Sequence, residues 1–336
     1  MKIDAPLYSF DAPEDEVRRL ESKGYAGAFT YEGPHDPFFP LLLASRASTS
    51  IDLYTAVAIG FARNPMILAN IGWDLQAISK GRFLLGLGTQ IKPHIEKRFD
   101  MPWSKPATRM REMVLAIKSI WNAWENDERL DFRGEIYSNT LMTPMFNPGP
   151  APYGLPPIFL AGVGPRMTEV CGEVADGFFV HPFGTARSFA ELTLPALDRG
   201  LVAGGRSADA FAISLQVMVC TGADDEAIEQ ARQATKQQIA FYGSTPAYRP
   251  VLECHGWGDL QGELNALTKQ GKWGEMSALI SDELLEAVAV CAPIGEVAEA
   301  VVARTQGRAD RVSLVAHWTR DPEIWDDVVR DLSASA

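Results

Sequence analysis

Short apolar segments recur along the whole chain and are separated by stretches with helical periodicity. Most of these segments are apolar at nearly every position, which is typical of strands buried on both faces of a parallel sheet. We predict eight such strands, at Ile3–Tyr8, Ala26–Tyr31, Asp52–Ile59, Phe83–Gly88, Pro157–Ala161, Gly177–His181, Phe211–Val219 and Arg311–Ala316. Eight strands that alternate with helices favour an α/β fold of the (β/α)8 TIM-barrel type over a doubly wound sheet.

Residues that start and stop helices lie between several of these segments. Asn64 followed by Pro65 is typical of a helix N-cap and first turn, and Gly81 follows the end of the same helix. A later helix is expected to begin near Ser104. Its apolar positions recur at helical spacing and are predicted to form a core face rather than a cofactor contact. They are Met110, Met113, Val114, Ile117, Trp121 and Trp124.

The 336 residues are enough for two average domains or for one barrel that carries insertions. The sequence has no internal repeat, low-complexity segment or flexible linker, so we predict a single domain over residues 1–336. The length beyond a minimal barrel falls at about 127–156, rich in proline and glycine, and at about 242–282, rich in aromatic residues. Long insertions on a barrel are typically lids or oligomer contacts.

Composition narrows the class of protein. The net charge of −12 argues against a nucleic-acid partner, and neither a membrane-length apolar run nor a signal-peptide pattern is found. The cysteines are widely spaced without a CxxC pair, which argues against a zinc site or a small disulfide framework. They are Cys171, Cys220, Cys254 and Cys291. We therefore expect a soluble cytoplasmic protein with reduced thiols.

Basic residues between positions 63 and 98 could bind an anionic small ligand, because a local cluster can reverse the field within a cleft. A solvated surface is the other interpretation. The residues are Arg63, Lys80, Arg82, Lys92, Lys97 and Arg98.

Glycine turns follow two of the predicted strands, at the end where a TIM barrel holds its active site. They are Gly86-Leu87-Gly88-Thr89-Gln90 and Gly162-Val163-Gly164-Pro165-Arg166. Ile91 and Met167 stand where a dinucleotide fingerprint needs its third glycine, which argues against a Rossmann site. Such turns suit the close approach of a flat ring or a phosphate, with Arg166 and a helix N-terminus as the phosphate seat. Ordinary tight loops are the other interpretation.

Titratable residues follow the second and sixth strands. Glu32 and His35 lie in the loop after the second strand, and His181 ends the sixth. Each is a candidate to donate or accept a proton during catalysis. Asp36 precedes Pro37, so it is a better candidate for a helix N-cap than for catalysis.

Motifs for metal binding and for nucleophilic catalysis are missing from the sequence. His94, His255 and His317 sit outside any HxH or HExxH spacing, so no metal site is predicted. A structural role is as good an interpretation of His317 as any other. No GxSxG elbow, SxxK or catalytic-cysteine signature occurs either. This pattern favours a redox enzyme whose cofactor carries the reaction.

Five motifs together resemble the bacterial luciferase-like family. They are TAVAIGFARNP at 55–65, SKGRFLLGLG at 79–88, RMRE at 109–112, AGVGP at 161–165 and GEVADG at 172–177, in family order. Within the family the chain is most similar to the branch that uses the deazaflavin coenzyme F420 rather than FMN.

The resemblance implies a TIM barrel that lays an isoalloxazine-like ring across the strand ends, with the substrate above it. It implies a non-proline cis peptide at Ala56-Val57 behind the ring, and an acidic residue, Glu32, against the deazaflavin. It also implies glycines beside the ring and a phosphate at the fifth strand. The expected cofactor-binding residues are Glu32, Ala56, Val57, Gly86, Gly88, Thr89, Gln90, Gly162, Val163, Gly164, Pro165 and Arg166.

One departure bears on the substrate. Sugar-phosphate dehydrogenases of this branch carry Asp-His directly after the second strand and an acidic residue after the fourth-strand turn. This chain has Glu32-Gly33 and Gln90-Ile91 there, which argues against that substrate.

We therefore expect an F420-dependent oxidoreductase that transfers a hydride between the deazaflavin and a small organic substrate. The alternatives are an FMN-dependent luciferase-like monooxygenase and a non-catalytic flavin-binding barrel. A homodimer is expected through helices that flank the second to fourth strands, with neither nucleic acid nor membrane as a partner.

Overall fold

A computed structural model describes residues 1–305, 307–316, 318 and 322–334. Within these residues a closed barrel of eight parallel strands forms the centre of the molecule. Its strands are β1 Lys2–Pro6, β2 Gly27–Thr30, β3 Asp52–Thr55, β4 Phe83–Gly88, β5 Ile158–Ala161, β6 Gly177–Val180, β7 Ala212–Cys220 and β8 Arg311–Val315. Consecutive strands pair in parallel, and β8 pairs back onto β1. Each strand overlaps one of the predicted segments, so the prediction of a TIM barrel is confirmed.

Helices cover the outside of the barrel. They are α1 Pro13–Ser22, α2 Phe38–Ala47, α3 Pro65–Ser79, α4 Pro106–Asn126, α5 Pro165–Val174, α6 Leu194–Ala203, α7 Val297–Thr305 and α8 Trp325–Ala334. A short helix, Lys92–Lys97, precedes α4, and Ala186–Ser188 with a π-turn at Phe189–Thr193 precedes α6. No helix in the described part of the chain is both long enough and apolar enough to cross a bilayer.

The predicted helix signals are confirmed at α3 and α4. The Asn64 side chain accepts a hydrogen bond from the Ile67 N–H at 3.0 Å, and Lys80 ends α3 in the left-handed conformation with Gly81 behind it. The predicted face of α4 is buried in the main core, including Trp121 and Trp124.

A buried ion network closes the N-terminal end of the barrel. The Asp4 carboxylate accepts hydrogen bonds from Arg311 Nε at 2.7 Å and Nη2 at 2.9 Å, and from the Tyr54 hydroxyl at 2.7 Å. Arg311 Nη1 also donates to Asp52 at 2.7 Å. Burial and the Asp4 carboxylate raise the pKa of Tyr54 well above its ordinary value, so its hydroxyl stays a donor. The network fills this end of the barrel with charged side chains that satisfy one another.

Large side chains fill the interior above this network. They are Phe29, Tyr54, Leu84, Phe159 and Phe179. The Tyr54 ring stacks on Phe29 at 5.3 Å and on Phe179 at 5.6 Å between centroids. Four of the five are aromatic and the fifth is Leu84. We call the five together the aromatic floor, because they separate the ion network from the C-terminal mouth of the barrel.

Two excursions leave the barrel. Residues 127–156 include an antiparallel pair of short strands, Phe132–Arg133 and Ser138–Asn139. The excursion is anchored by the Glu112 carboxylate of α4, which accepts backbone hydrogen bonds from residues 135, 136 and 137.

The second excursion lies between β7 and β8 and is helical. Its helices are Asp225–Gly243, Arg249–Glu253, Gly258–Lys269, Trp273–Met276 and Asp282–Val288. We call residues 225–288 the helical insertion; it extends beyond the expected 242–282 at both ends. A short strand, Ala289–Cys291, then pairs in parallel with the end of β7.

Candidate functional site

Small residues lie over the aromatic floor at the C-terminal mouth. Because inward-facing residues recur every second position along a strand, Ala56 follows Tyr54, Gly86 follows Leu84 and Ala161 follows Phe159. Ala56 and Ala161 are only half-buried and pack on the floor. At this level the large side chains of the floor are followed by methyl groups and hydrogens, and we call the region above these small residues the space over the floor. The Ala56-Val57 peptide is cis, as the resemblance implies.

Gly86 and Gly88 of β4 lie so close to β3 and the segment after it that neither has room for a side chain. A Cβ at Gly86 would overlap the Thr55 carbonyl oxygen, and the Thr55 hydroxyl donates to the Gly86 carbonyl at 2.6 Å. A Cβ at Gly88 would lie 2.7 Å from Val57 Cγ2. This half of the glycine turn is therefore explained by the close approach of two strands, whatever binds above them.

Thr89 and Gln90 continue the turn and are half-buried. Gln90 has a left-handed φ of 58°, and its side-chain oxygen accepts from the Ile91 N–H at 2.9 Å. The Thr89 hydroxyl donates to the Gln90 carbonyl at 2.8 Å. These local bonds fix the shape of the turn that borders the space over the floor.

Glu32 forms a buried ion pair after β2. Its Oε2 accepts from Arg63 Nη1 at 2.6 Å and from the Ile59 N–H at 2.7 Å. Arg63 Nη2 also donates to Asp36 at 2.8 Å. Glu32, predicted as a catalytic candidate, holds the β2 loop against the segment after β3. Asp36, predicted to cap a helix, accepts from the Phe38 N–H at 2.9 Å through Oδ1 at the start of α2.

His35 belongs to a group of exposed rings near the ends of β1 and β2. Its imidazole stacks on Phe10 with centroids 4.0 Å apart and planes 17° from parallel. Tyr8 and Tyr31 are also exposed, and burial of part of Tyr8 raises its pKa to about 12. The structure thus places His35 on an aromatic rim of the mouth, where its ring stacks on Phe10.

The turn after β5 presents the N-terminus of α5. Gly164 has φ +84° with open space where a Cβ would be, and its carbonyl accepts from the Thr168 N–H at 3.1 Å and hydroxyl at 3.0 Å. Pro165 begins the helix. The first N–H groups of a helix lack intrahelical partners and favour an anion, which is the feature that the predicted phosphate seat requires.

Arg166, the first residue after Pro165, is exposed and paired with an acidic neighbour. Its side chain is 81% exposed and pairs with Glu169 at 2.5 Å, and Glu169 also binds Arg199. The arginine expected to complete a phosphate seat is thus engaged by Glu169 instead.

A cavity of about 360 Å³ begins at this turn and runs beneath the loop that follows β6. That volume is within the range of small-ligand sites, about 300–1,000 Å³. Its wall includes Gly164, Thr168, His181, Tyr248 and Arg304. The cavity therefore brings together two predicted features, the β5 turn and the histidine after β6. The predicted residues at the ends of β2, β3 and β4 lie outside the described lining.

His181 is a neutral imidazole on the cavity wall. Its Nδ1 accepts a hydrogen bond from the Phe183 N–H at 3.1 Å, which leaves the ring proton on Nε2. Tyr242 and Tyr248 pack against the ring with centroids 4.7 and 4.6 Å away. Burial lowers its pKa to about 4, so at pH 7 it offers an N–H donor and no charge.

Arg304 places a positive charge on the wall of the same cavity. It was not among the residues predicted from the sequence. Its Nη2 donates to the carbonyls of Gly184, Ala287 and Val288 at 2.8, 3.0 and 2.6 Å. Burial lowers its pKa to about 10, so it remains charged at pH 7. A single arginine in a helix far from the strand ends gives no sequence signal.

The basic residues between positions 63 and 98 do not act as one cluster. Arg63 is held by acidic side chains, and Arg82 donates to the carbonyls of Ser45, Ser48 and Ile51. Arg98 donates to the Gly33 carbonyl at 2.8 Å. Only Arg63 and Arg98 thus reach the loop after β2, and Lys92 pairs with a neighbour on its own short helix.

Among the described residues, His94 and His255 do not gather into a site. His94 is exposed on the short helix before α4, His255 Nε2 lies 2.8 Å from the Thr185 hydroxyl, and His317 lies outside the described residues. Across the residues that the structure describes, no group of three or more His, Cys, Asp or Glu side chains could hold a metal ion.

Comparison with known proteins agrees with this architecture. Residues 5–311 match the family model described as luciferase-like monooxygenase. An uncharacterized protein of Mycobacterium tuberculosis is 55% identical over 298 residues, which cover 89% of this chain and 88% of that protein. The 5,10-methylenetetrahydromethanopterin reductase of Archaeoglobus fulgidus is 28% identical over 271 residues, 78% of this chain and 75% of the reductase.

A solved structure extends the similarity to the whole fold. The coenzyme F420 dependent tetrahydromethanopterin reductase of Methanopyrus kandleri superposes with a TM-score of 0.78 at 20% identity, covering 98% of this chain and 96% of that one. Because the family model covers nearly all of the barrel, the chain belongs to the luciferase-like monooxygenase family.

Proposed function

We propose that this protein is an F420-dependent oxidoreductase that transfers a hydride between the deazaflavin and a small organic substrate. The observation that carries the proposal is the layer of small, half-buried residues, Ala56 and Ala161, over the aromatic floor at the mouth. A flat tricyclic ring needs such a layer, because larger side chains at these positions would occupy its place.

The residues present fit a phosphate-bearing coenzyme as well as its ring. The N-terminus of α5 at Gly164 offers unpaired backbone N–H groups to a phosphate, and Arg304 adds a positive charge on the cavity wall. When bound, the deazaflavin supplies the hydride chemistry. The chain's own share is to hold the coenzyme, orient the substrate above it and keep water away.

His181 and Glu32 have different roles in this proposal. His181 offers a proton-bearing Nε2 to a substrate oxygen, while Tyr242 and Tyr248 shield it from water. Glu32 is a positioning residue, since its carboxylate is engaged by Arg63 and by the Ile59 N–H. The name of the Methanopyrus kandleri reductase, whose fold this chain resembles, supports F420 as the coenzyme.

An FMN-dependent monooxygenase is the second candidate, because the matching family model is described as a luciferase-like monooxygenase. It would use the same phosphate seat and the same space over the floor. The difference lies in the reaction, since a monooxygenase needs oxygen and a hydride-transferring reductase does not.

The test is to incubate the protein with reduced F420 or reduced FMN, with and without oxygen, in the presence of a panel of carbonyl and alkene acceptors. Oxidised F420 with a panel of alcohols tests the reverse direction. We expect acceptor-dependent oxidation of reduced F420, or alcohol-dependent reduction of F420, without oxygen. Turnover only with reduced FMN and oxygen would overturn the proposal in favour of the monooxygenase. Failure of every combination would favour a non-catalytic barrel.

A further inference from the structure

Two cysteines that are distant in the sequence lie side by side where the helical insertion rejoins the barrel. Cys220 and Cys291 are register partners in the parallel pairing of β7 with the short strand Ala289–Cys291. The Ala292 N–H donates to the Cys220 carbonyl at 3.2 Å, which continues the pairing by one bond. Paired strands lie about 4.7–4.9 Å apart. That spacing falls within the Cα separation that a disulfide spans, about 4.4–6.8 Å.

The two thiols lie on the same side of the sheet. Register partners on paired parallel strands point to the same face, so the pairing places the Cys220 and Cys291 side chains next to each other. Both cysteines are free thiols; Cys220 is fully buried and Cys291 is half-buried. Cys220 Sγ also lies 3.1 Å from the Thr235 hydroxyl of the helical insertion.

The surroundings favour loss of a proton from the pair. The neighbouring Cys291 and the Arg232 guanidinium lower the pKa of the Cys220 thiol below its ordinary value, whereas Cys220 and burial raise the pKa of Cys291. The pair therefore releases its first proton more readily than an isolated thiol, and a thiolate is the form that reacts with oxidants.

We propose that Cys220 and Cys291 are a redox modification site, at which hydrogen peroxide converts the two thiols into an intramolecular disulfide. The inference is independent of the coenzyme and of the substrate of the barrel.

The reaction balances with peroxide as the only oxidant. Peroxide reaches the half-buried Cys291, whose sulfur attacks one peroxide oxygen while its thiol proton passes to the neighbouring Cys220 thiolate. The O–O bond breaks, giving a sulfenic acid at Cys291 and a hydroxide that takes up a proton as water. The Cys220 sulfur then attacks the sulfenic sulfur, so the S–S bond forms and the hydroxyl leaves with the remaining proton as a second water. Two thiols lose two electrons, and one peroxide becomes two waters.

The position of the bond gives it a consequence for the fold. The helical insertion leaves the barrel just after Cys220 and returns just before Cys291, so the disulfide would tie its two ends together. The insertion carries Tyr242 and Tyr248, which cover His181. Oxidation would therefore fix the base of the segment that lines one side of the cavity.

The test uses peptide mapping of the whole protein after treatment with hydrogen peroxide and alkylation in denaturant. Trypsin places each cysteine in a different peptide, with Cys220 in 207–232 and Cys291 in 273–304. We expect the loss of two of the four alkylatable thiols, a cross-link between these two peptides, and its disappearance on reduction with dithiothreitol. Peroxide treatment that leaves either peptide with a lone sulfinic or sulfonic acid and no cross-link would overturn the proposal.

Matched cysteine variants locate the bond. Cys254→Ser removes a thiol that lies in the separate peptide 237–269 and should leave the cross-link at the wild-type yield. Cys291→Ser should abolish it. A cross-link that persists in Cys291→Ser, or one that is lost in Cys254→Ser, would assign the oxidation to other cysteines. Should Cys291→Ser fail to fold, the map of the wild-type protein still decides the matter.

Discussion

Glu32 and Arg63 join the end of β2 to the segment that follows β3. Glu32 Oε2 accepts from Arg63 Nη1 at 2.6 Å, and the two side chains are only 6% and 13% exposed. The same oxygen accepts from the Ile59 N–H, so one carboxylate connects two strand ends at the mouth. Removing one partner of a buried ion pair is strongly destabilising, because it leaves the other charge buried without compensation.

Removing the carboxylate should therefore destabilise the protein more than removing a surface carboxylate. We expect Glu32→Ala to lower the free energy of unfolding by about 3–5 kcal/mol, because Arg63 loses its most buried partner and the Ile59 N–H is left unpaired. Denaturant unfolding measures this change. Glu96→Ala, which breaks an exposed pair with Lys92, is the control and should change stability by less than about 0.5 kcal/mol. Equal effects of the two variants would show that the buried pair is not structural.

Gly86 should tolerate no side chain. In Gly86→Ala the new Cβ would overlap the Thr55 carbonyl oxygen, so two strands must separate. We expect the free energy of unfolding to fall by about 1–3 kcal/mol, the usual cost of overpacking. Gly262→Ala is the opposite control, because it lies in a helix with open space at its Cβ and should gain up to about 1 kcal/mol. An unchanged melting temperature for Gly86→Ala would contradict the packing seen here.

His181 should make the protein sensitive to mild acid. Its folded-state pKa of about 4 lies below the ordinary value of 6.5, so the unfolded chain binds the proton first. The neutral form is fully favoured above pH 6.5, and its contribution is lost as the pH falls from 6.5 through 4. We expect the wild type to lose up to about 3 kcal/mol more than His181→Asn over this interval. Unfolding curves measured at several pH values check the difference, and parallel pH profiles would contradict it.

Ala56 should control coenzyme binding rather than folding. Its half-buried side chain borders the space over the aromatic floor, so leucine there would project into the place assigned to the ring. We expect Ala56→Leu to abolish F420 binding while the melting temperature changes little. Ala58→Leu is the contrasting control: Ala58 is fully buried, so leucine should cost about 1–3 kcal/mol of stability through overpacking. An unchanged affinity of the Ala56→Leu variant for F420 would show that the coenzyme ring does not lie beside Ala56.

The strands and the principal helices were predictable because their signals are local. Continuous apolar runs mark strands covered on both faces, and the Asn64-Pro65 dipeptide places the start of α3. The resemblance to a known family led to the cis peptide at Ala56-Val57, which neither residue would suggest on its own.

The site was only partly predictable, because side-chain partners are set by tertiary contacts. Sequence could place Glu32 and Arg166 near the mouth, but it could not show that Arg63 engages the first or that Glu169 draws the second into solvent. The approach of Cys220 to Cys291 depends on how a long insertion returns to the barrel, and the wide spacing of the two residues hides it.

The central claim is that the mouth binds a deazaflavin, and an equilibrium titration tests it most directly. The purified protein is titrated separately with oxidised F420 and oxidised FMN while coenzyme fluorescence is followed, with Ala56→Leu measured in parallel. The account predicts saturable binding of F420, at least about tenfold tighter than that of FMN (about 1.4 kcal/mol), and loss of that binding in Ala56→Leu. FMN binding as tight as F420 binding, or no saturable binding of F420, would contradict it.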